Sequence, residues 1–299
     1  MSAKVPVTMV YIILHYNNID ETRACVRSVR AMSGPEESAL ILVDNASPNG
    51  SGALLREEFG REPGITVLMN PQNLGYSEGN NVGYRYAREH YDADFYTVCN
   101  NDILFPDPAW TAKILEEYAV RPFDVLGPDI WNPRMGIHQS PLGKKSPDRA
   151  AVTRTIRLNA LADRFFPLFW LLIGRKDAER LSHRKDSVPD YAEAQDSVPL
   201  MGACLVLSRD FIRRRETLFD PATFLYYEEY LLYNACMRGG LRVIYRPAIR
   251  VEHLEGASTV TLSTGLRDRY RRMVRNTLAA AKIYRQDLDR HAGGKAGAK

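Results

Sequence analysis

The 299-residue sequence predicts an α/β fold: a mostly parallel sheet flanked by helices, with a helical basic insertion and a basic C-terminal helix. Apolar runs of strand length alternate with helix-period segments through the first 130 residues. Two polar clusters, Val43-Asp44-Asn45-Ala46-Ser47 and Asn100-Asn101-Asp102, follow directly on such runs, and a third, Tyr226-Tyr227-Glu228-Glu229, opens a helical one. Strands separated by helices favour parallel pairing through right-handed crossovers. Ligands of such sheets bind beyond the carboxyl ends of the strands, which is where Asp44 and Asp102 fall.

Taken in order, Val7–Tyr16 is nearly continuous apolar sequence, as expected of a strand buried on both faces. Asp20 is placed to cap a helix through about Met32, with Cys25, Val29 and Met32 on one face. Ala39–Asp44 is a second strand, Asn45–Gly52 a turn, and Ala53–Phe59 a short helix ended by Gly60. Ile65–Asn70 is a third strand, Glu78–Tyr91 a helix, and Asp94–Cys99 a fourth strand. Pro108 can open the next helix, with Ile114, Leu115 and Tyr118 inward, and Val125–Ile130 is another short strand. The alternation stops over about 131–195, a proline-rich and basic stretch. It resumes with a strand at Val198–Leu207, a helix over about Phe224–Met237 ending at Gly239-Gly240, and strands at Leu241–Tyr245 and Ile249–His253. Leu266–Arg285 is a basic helix, and His291–Lys299 has the composition of a disordered tail. The expected division is a domain over 1–265, carrying the 131–195 insertion, and a C-terminal helix and tail over 266–299.

Hydrophobic content of 45% and charged content of 25% are those of a soluble globular protein. Cys25, Cys99, Cys204 and Cys236 are far apart and form no C-x-x-C pair, which argues against a zinc module or a disulfide framework and for reduced thiols in a cytosolic protein. Met1-Ser2-Ala3-Lys4 leads straight into a strand without a signal-peptide pattern. The densest apolar run, Phe165–Ile173, is interrupted by Pro167 and is far shorter than the ~20 residues that cross a bilayer. The expected location is therefore the cytoplasm, with the inner face of the cell membrane as an option.

The net charge of +4 is unevenly placed. Lys144–Lys185 holds 11 basic and 4 acidic residues, and Arg267–Lys299 holds 10 and 3, so an acidic body carries two basic segments. Such segments favour a polyanion. No recognition helix, RNA-binding motif or zinc module accompanies them, which excludes a nucleic-acid partner. Leu158, Leu161, Phe165, Phe169 and Leu172 recur at helical spacing beside Arg164, Arg175 and Lys176. That pattern suits a peripheral membrane contact and equally a helix packed over the active site or against a partner.

Several residues can carry chemistry. A carboxylate at Asp44 can accept the N3–H of uracil or thymine; alternatively Asp44 and Ser47 cap the next helix. Asn73-Leu74-Gly75-Tyr76-Ser77-Glu78-Gly79-Asn80-Asn81-Val82-Gly83 sets three glycines and three asparagines around a helix start, where backbone can approach a ligand and phosphate is favoured, or where an ordinary glycine-rich turn suffices. Asp102 fits a hard divalent cation on a diphosphate, which needs only one or two protein carboxylates; the alternative is an Asx turn. Glu228 and Glu229 are paired acids in an aromatic and aliphatic stretch, suited to a general base or to a solvated helix start. His253 is of interest if the fold brings it to Asp102.

In order, these motifs resemble those of the family 2 inverting glycosyltransferases, closest to the bacterial rhamnosyltransferase-like members. The likeness covers about residues 5 to 255: Tyr16-Asn17, Val43 to Ser47, Asn73 to Gly83, Asn100 to Asp102, Gly202-Ala203-Cys204, Phe219-Asp220, Phe224 to Leu232 and Val251 to His253. The resemblance implies a GT-A fold, with a Rossmann-like sheet, and transfer of a sugar, rhamnose foremost, from a dTDP- or UDP-sugar to a saccharide or lipid-linked saccharide. It implies Mg²⁺ or Mn²⁺ on the diphosphate, held by Asp102 with His253. Donor contacts fall on Tyr16, Asp44, Asn45, Asn73, Gly75, Gly79, Asn80, Asn101 and Gly202, and the base on Glu229, with Glu228 able to share the role. Three positions depart from the family pattern: Glu229 stands where Asp is usual, Leu231 replaces a downstream Asp, and Asn100 replaces the first Asp of the metal motif. The departures also motivate an alternative, a nucleotide-sugar-binding protein with impaired catalysis. The oligomeric state is left open, a homodimer among the options.

Overall fold

A computed structural model describes residues 4–32, 37–172, 187–254 and 265–292. Its centre is β1 (Val5–His15), which pairs in parallel with β2 (Ser38–Asp44) on one side and β4 (Tyr91–Asn100) on the other. β3 (Ile65–Met69) extends the parallel set beyond β2. Past β4 come β9 (Cys204–Ser208), antiparallel to both its neighbours, then β6 (Val125–Asn132) and β10 (Val243–His253), parallel to each other. The short β5 (Ile103–Leu104) closes the edge, and β7 (Ile137–His138) and β8 (Gln195–Asp196) pair with β6 and β10. The sheet is mostly parallel and flanked by helices, as the alternating pattern predicts.

Two-residue periodicity builds a core on each face. Met9, Tyr11 and Ile13 of β1 pack with Cys25 and Val29 of α1 (Ile19–Met32), Leu55 and Phe59 of α2 (Ser51–Phe59), and Trp110 and Ile114 of α4 (Trp110–Val120). Val10, Ile12 and Leu14 pack on the other face with Tyr84 and Ala87 of α3 (Gly75–His90), Phe211 of α6 (Arg209–Arg214), and Leu232 and Cys236 of α7 (Glu228–Arg238). With both faces covered, the strands have no polar side, hence the continuous apolar runs. All four cysteines are buried and free.

Several boundaries differ from the sequence expectation for local reasons. Asn18, not Asp20, caps α1: its Oδ1 accepts from the Glu21 N–H at 3.4 Å, while Asp20 pairs with Arg23 on the surface. α3 starts at Gly75, three residues early, because Gly79 and Gly83 are packing positions inside the helix. A Cβ at Gly83 would lie 2.5 Å from Ile12 of β1, so the glycine lets helix and sheet approach. Leu115 of α4 is exposed rather than inward. The expected strand from Val198 begins only at Cys204, after Pro199 and Gly202. α7 begins at Glu228 because Tyr226 and Tyr227 have φ of 75° and 65°, left-handed conformations that a helix cannot include. The two strands expected around Pro247 are one strand, β10, with a register shift between Arg246 and Arg250. A bulge there accommodates a residue without an N–H to donate.

The basic insertion contributes α5 (Arg149–Arg164), capped by Asp148, and a helical stretch over 166–172. Both pack on α8 (Leu266–His291), which runs six residues past the expected end. Val152 of α5, Leu231 of α7 and Ala281 and Tyr284 of α8 form one small core; Ala162, Phe166, Tyr270 and Val274 form another. Arg238 of α7 donates to both carboxylate oxygens of the buried Asp287, at 2.9 and 3.1 Å, fixing α8 to the main body. Of the expected apolar stripe, Phe169 turns in toward Tyr270, and Leu158, Leu161, Phe165 and Leu172 face outward. Arg175, Lys176 and most of the expected tail lie outside the described residues. No helix among the described residues is long and apolar enough to cross a membrane.

Candidate functional site

β1 sits between a strand reached through α1 and one reached through α3, so the chain direction across the sheet reverses at the β1–β4 crevice. Such a switch point is a natural ligand site. A cavity of roughly 470 Å³, within the range of small-ligand sites, opens there. Its floor is Leu14 and Tyr16 at the end of β1 and Asn100, Asn101 and Asp102 at the end of β4. Asn45, Asn73, Gly75 and Tyr76 form one wall. Phe224, Leu225, Tyr226 and the N-terminal half of α8 form the other.

Asp102 and His253 meet. His253 ends β10, and its Nε2 lies 3.2 Å from Asp102 Oδ1, with both side chains almost fully buried. His253 Nδ1 lies 2.7 Å from Gln139 Oε1, a contact that orients the ring with Nε2 toward Asp102. Glu21 lies nearby on α1. Neither of its carboxylate oxygens makes a hydrogen bond of ordinary geometry. Burial, then the Asp102 charge, pushes the Glu21 carboxyl up to about 7. A carboxylate and an imidazole side by side are the donor types that suit a hard divalent ion taking its other ligands from phosphate and water. Among the described residues no group of three acidic, histidine or cysteine side chains completes an all-protein metal site.

Asn45 spends its whole amide on the protein. Its Nδ2 donates to Asn73 Oδ1 and the Gly75 carbonyl, and its Oδ1 accepts from Asn70 Nδ2 and the Leu74 N–H. It therefore ties the end of β2 to the glycine loop rather than offering a free donor to a ligand. Asn101 is similarly anchored, donating to the Asn18 carbonyl and Thr22 Oγ1 at the start of α1. Asp44 is 2% exposed and does not line the cavity. Its Oδ1 accepts from Ser47 Oγ at 2.6 Å, closing the turn, and His15 Nε2 lies 3.9 Å away. Neither Asp44 nor Ser47 caps α2, whose N-cap is Gly50. Gly79 and Asn80 lie beneath the cavity: a Cβ on Gly79 would meet Leu14 at 2.8 Å, and Asn80 bonds the Tyr76 carbonyl. Here the glycine-rich motif serves helix packing more than ligand approach.

Gly75 is the exception. Its φ is +78°, and a Cβ there would lie 2.3 Å from the Phe224 carbonyl oxygen, which accepts from the Tyr76 N–H at 2.7 Å. This junction pins the wall at 73–76 to the turn that precedes Glu228 and Glu229. Tyr76 then donates to the Gly202 carbonyl at 2.7 Å, and Glu229 packs over Gly202. Burial, with the Glu229 charge next, pushes the Glu228 carboxyl well up. Burial also raises Glu229, against backbone N–H groups of Glu229 itself and Gly202 that favour the ionised form. Glu228 is buried and Glu229 half-buried, and neither lines the cavity, whereas Tyr76 and Tyr226, on which the Glu228 charge acts, do. Leu231, where the resemblance expects an acid, is buried against Val152, Ala281 and Tyr284.

Sequence reasoning missed the α8 wall: Arg269, Tyr270, Arg272, Met273 and Asn276. The basic character of the segment was visible, but not its position over the cavity.

The model of glycosyl transferase family 2 matches residues 11–179, more than half of the chain, and the chain belongs to that family. Comparison with curated proteins gives no match. Among solved structures, S. aureus TarS 1-349 aligns over 98% of this chain and 76% of that one at 10% identity, with a TM-score of 0.53, a likeness of fold. TarS 1-349 in complex with UDP-GlcNAc aligns over 48% of this chain at 15% identity and a TM-score of 0.37, and another TarS structure does so with the same values. The chain spans 38% and 24% of the lengths of those two.

Proposed function

We propose that this glycosyltransferase moves a sugar, rhamnose foremost, from a dTDP- or UDP-sugar to a hydroxyl of a saccharide or lipid-linked saccharide, with inversion. The observation that carries the proposal is the Asp102–His253 pair at the β1–β4 switch point, opening into a cavity whose far wall holds Arg269 and Arg272. The nucleoside enters between Tyr16 and the Asn73–Tyr76 wall. Asp44 either reads the pyrimidine N3–H after its turn opens or holds that turn closed. Arg269 and Arg272 face the diphosphate. Asp102 and His253 would hold Mg²⁺ or Mn²⁺, which neutralises charge on the departing diphosphate.

Glu229 is the general base. Burial raises both carboxyls of the adjacent pair, and the backbone N–H of Gly202 favours the ionised form of Glu229, which supports Glu229 as the base. Glu229 takes the proton of the acceptor hydroxyl as its oxygen bonds to the anomeric carbon. The bond to the diphosphate oxygen breaks, and the nucleoside diphosphate leaves with the electron pair from the opposite face. The second reading, a nucleotide-sugar-binding protein without turnover, draws on Leu231, whose burial removes the acid that the family pattern places there.

A thermal-shift screen of nucleotide sugars with and without Mn²⁺ tests the donor reading, because a ligand of the native state raises its apparent stability. The expected result is a shift by a dTDP- or UDP-sugar that needs the metal and is lost in Asp102→Ala. Transfer that survives in both Asp102→Ala and Glu229→Gln sinks the residue roles. Binding without transfer to any membrane-extract acceptor favours the second reading.

A further inference from the structure

We propose that the outer face of α5 and the helical stretch 166–172 docks on an anionic lipid bilayer. The inference is independent of the donor reading. Leu158, Leu161, Phe165, Leu168, Leu171 and Leu172 are between 49% and 78% exposed. Five of them recur at alternating three- and four-residue spacing through α5, its C-cap Phe165 and the helical stretch 166–172, and all five are exposed. Soluble monomers seldom leave so large a contiguous apolar strip in water.

Charge selects the occupant. Arg154, Arg157 and Arg164 flank the stripe and are exposed. Arg154 and Arg157 also line a surface groove with Arg149 and Arg285, a setting for phosphate headgroups beside an apolar face. The basic segments Lys144–Lys185 and Arg267–Lys299 supply the two helices packed here, while the rest of the chain is acidic. A second copy seated on the same stripe would set arginine against arginine, which opposes a symmetric pairing; a bilayer bearing anionic headgroups complements both the leucines and the arginines. The inner face of the same helices packs on Tyr270, which also lines the cavity, so one layer of helix separates the bilayer face from the site. A hydroxyl acceptor held in the membrane would then be presented beside the cavity.

The test is co-flotation of the full chain with phosphatidylcholine vesicles, with and without phosphatidylglycerol, alongside sedimentation without vesicles. The wild type is expected to float only with the phosphatidylglycerol vesicles. Leu161→Glu/Leu168→Glu/Leu172→Glu and, separately, Arg154→Gln/Arg157→Gln/Arg164→Gln are expected to reduce binding by about tenfold or more, with unchanged thermal midpoints because the altered side chains are exposed. No flotation of the wild type, or equal flotation of wild type and variants, overturns the proposal. So does a wild-type dimer in solution that the leucine variants disperse.

Discussion

Gly202→Ala is expected to separate the positioning of the base from its presence. The backbone at Gly202 is not left-handed, so alanine brings no conformational strain of that kind. Its Cβ would stand 3.1 Å from Glu229 Cγ and 3.2 Å from Oε1. Carbon atoms pack best at about 3.5–4.0 Å, so the Glu229 side chain must withdraw by roughly half an ångström. A displacement of ~1 Å at a reacting group costs about 100-fold, and the variant should lose about 10- to 100-fold in kcat. Donor KM should hold, because Gly202 and Glu229 do not line the cavity. Overpacking at one flexible contact costs about 1 kcal/mol, so the protein remains folded. The assay is release of nucleoside diphosphate in the presence of acceptor, with Glu229→Gln and the double variant in parallel. If Gly202 acts only through Glu229, the double variant is no slower than Glu229→Gln. A Gly202→Ala enzyme with wild-type kcat, or a double variant much slower than Glu229→Gln, would falsify Glu229 as the base held over Gly202.

Gly75→Ala should weaken donor binding and stability together, since it adds a left-handed penalty of ~1 kcal/mol or more to a clash with the Phe224 carbonyl; calorimetric titration and thermal unfolding on one sample check both. Burial lowers the His15 imidazole to about 4 against the opposing pull of Asp44. The unfolded chain therefore binds the extra proton between about pH 6.5 and 4, and stability falls by up to ~3 kcal/mol as pH drops through that window. Denaturant titrations across pH should show this limb flattened in His15→Asn; an unchanged limb assigns it elsewhere. Because burial raises Glu229, transfer should fall on acidification with a midpoint above the ordinary carboxylate range, and a midpoint within that range counts against the base assignment. Leu231→Asp, which restores the family's acid, should destabilise by about 3 kcal/mol or more by burying a charge among Val152, Ala281 and Tyr284; chemical denaturation at neutral pH reads this directly.

The parallel sheet was legible because its strands are buried on both faces, and such burial leaves an unbroken apolar signature from Met9 to Leu14 and from Ala39 to Val43. The strand-end positions of Asp44 and Asp102 followed from that. What was not legible depends on contacts between distant segments. Pairing of β4 with β9 across some 100 residues, or the bulge that makes β10 one strand, leaves no local periodicity to read. The asparagines illustrate the same limit. Asn45, Asn73 and Asn101 stand out in the sequence and line the cavity, but whether an amide faces a ligand or spends its bonds on a neighbouring loop is decided by partners such as Asn70 and Thr22, which no spacing rule identifies.

Leu231 shows how a missing acid and an added wall are connected. A carboxylate at that helical position would point into the space where α5 and α8 now meet α7. With leucine there, α7 has an apolar face for Tyr284 and Ala281, and the Arg238–Asp287 pair locks the same junction. The N-terminal half of α8 is thereby held over the cavity, where it places Arg269 and Arg272. Leu231 is thus one of the apolar contacts that seat α8, the helix that brings Arg269 and Arg272 to the cavity. If that is correct, Asp287→Ala, which unlocks α8 at its far end, should weaken nucleoside diphosphate binding while leaving binding of the bare nucleoside unchanged. Equal losses for both ligands would show that α8 supports the site as a whole and contributes no charge specific to the diphosphate.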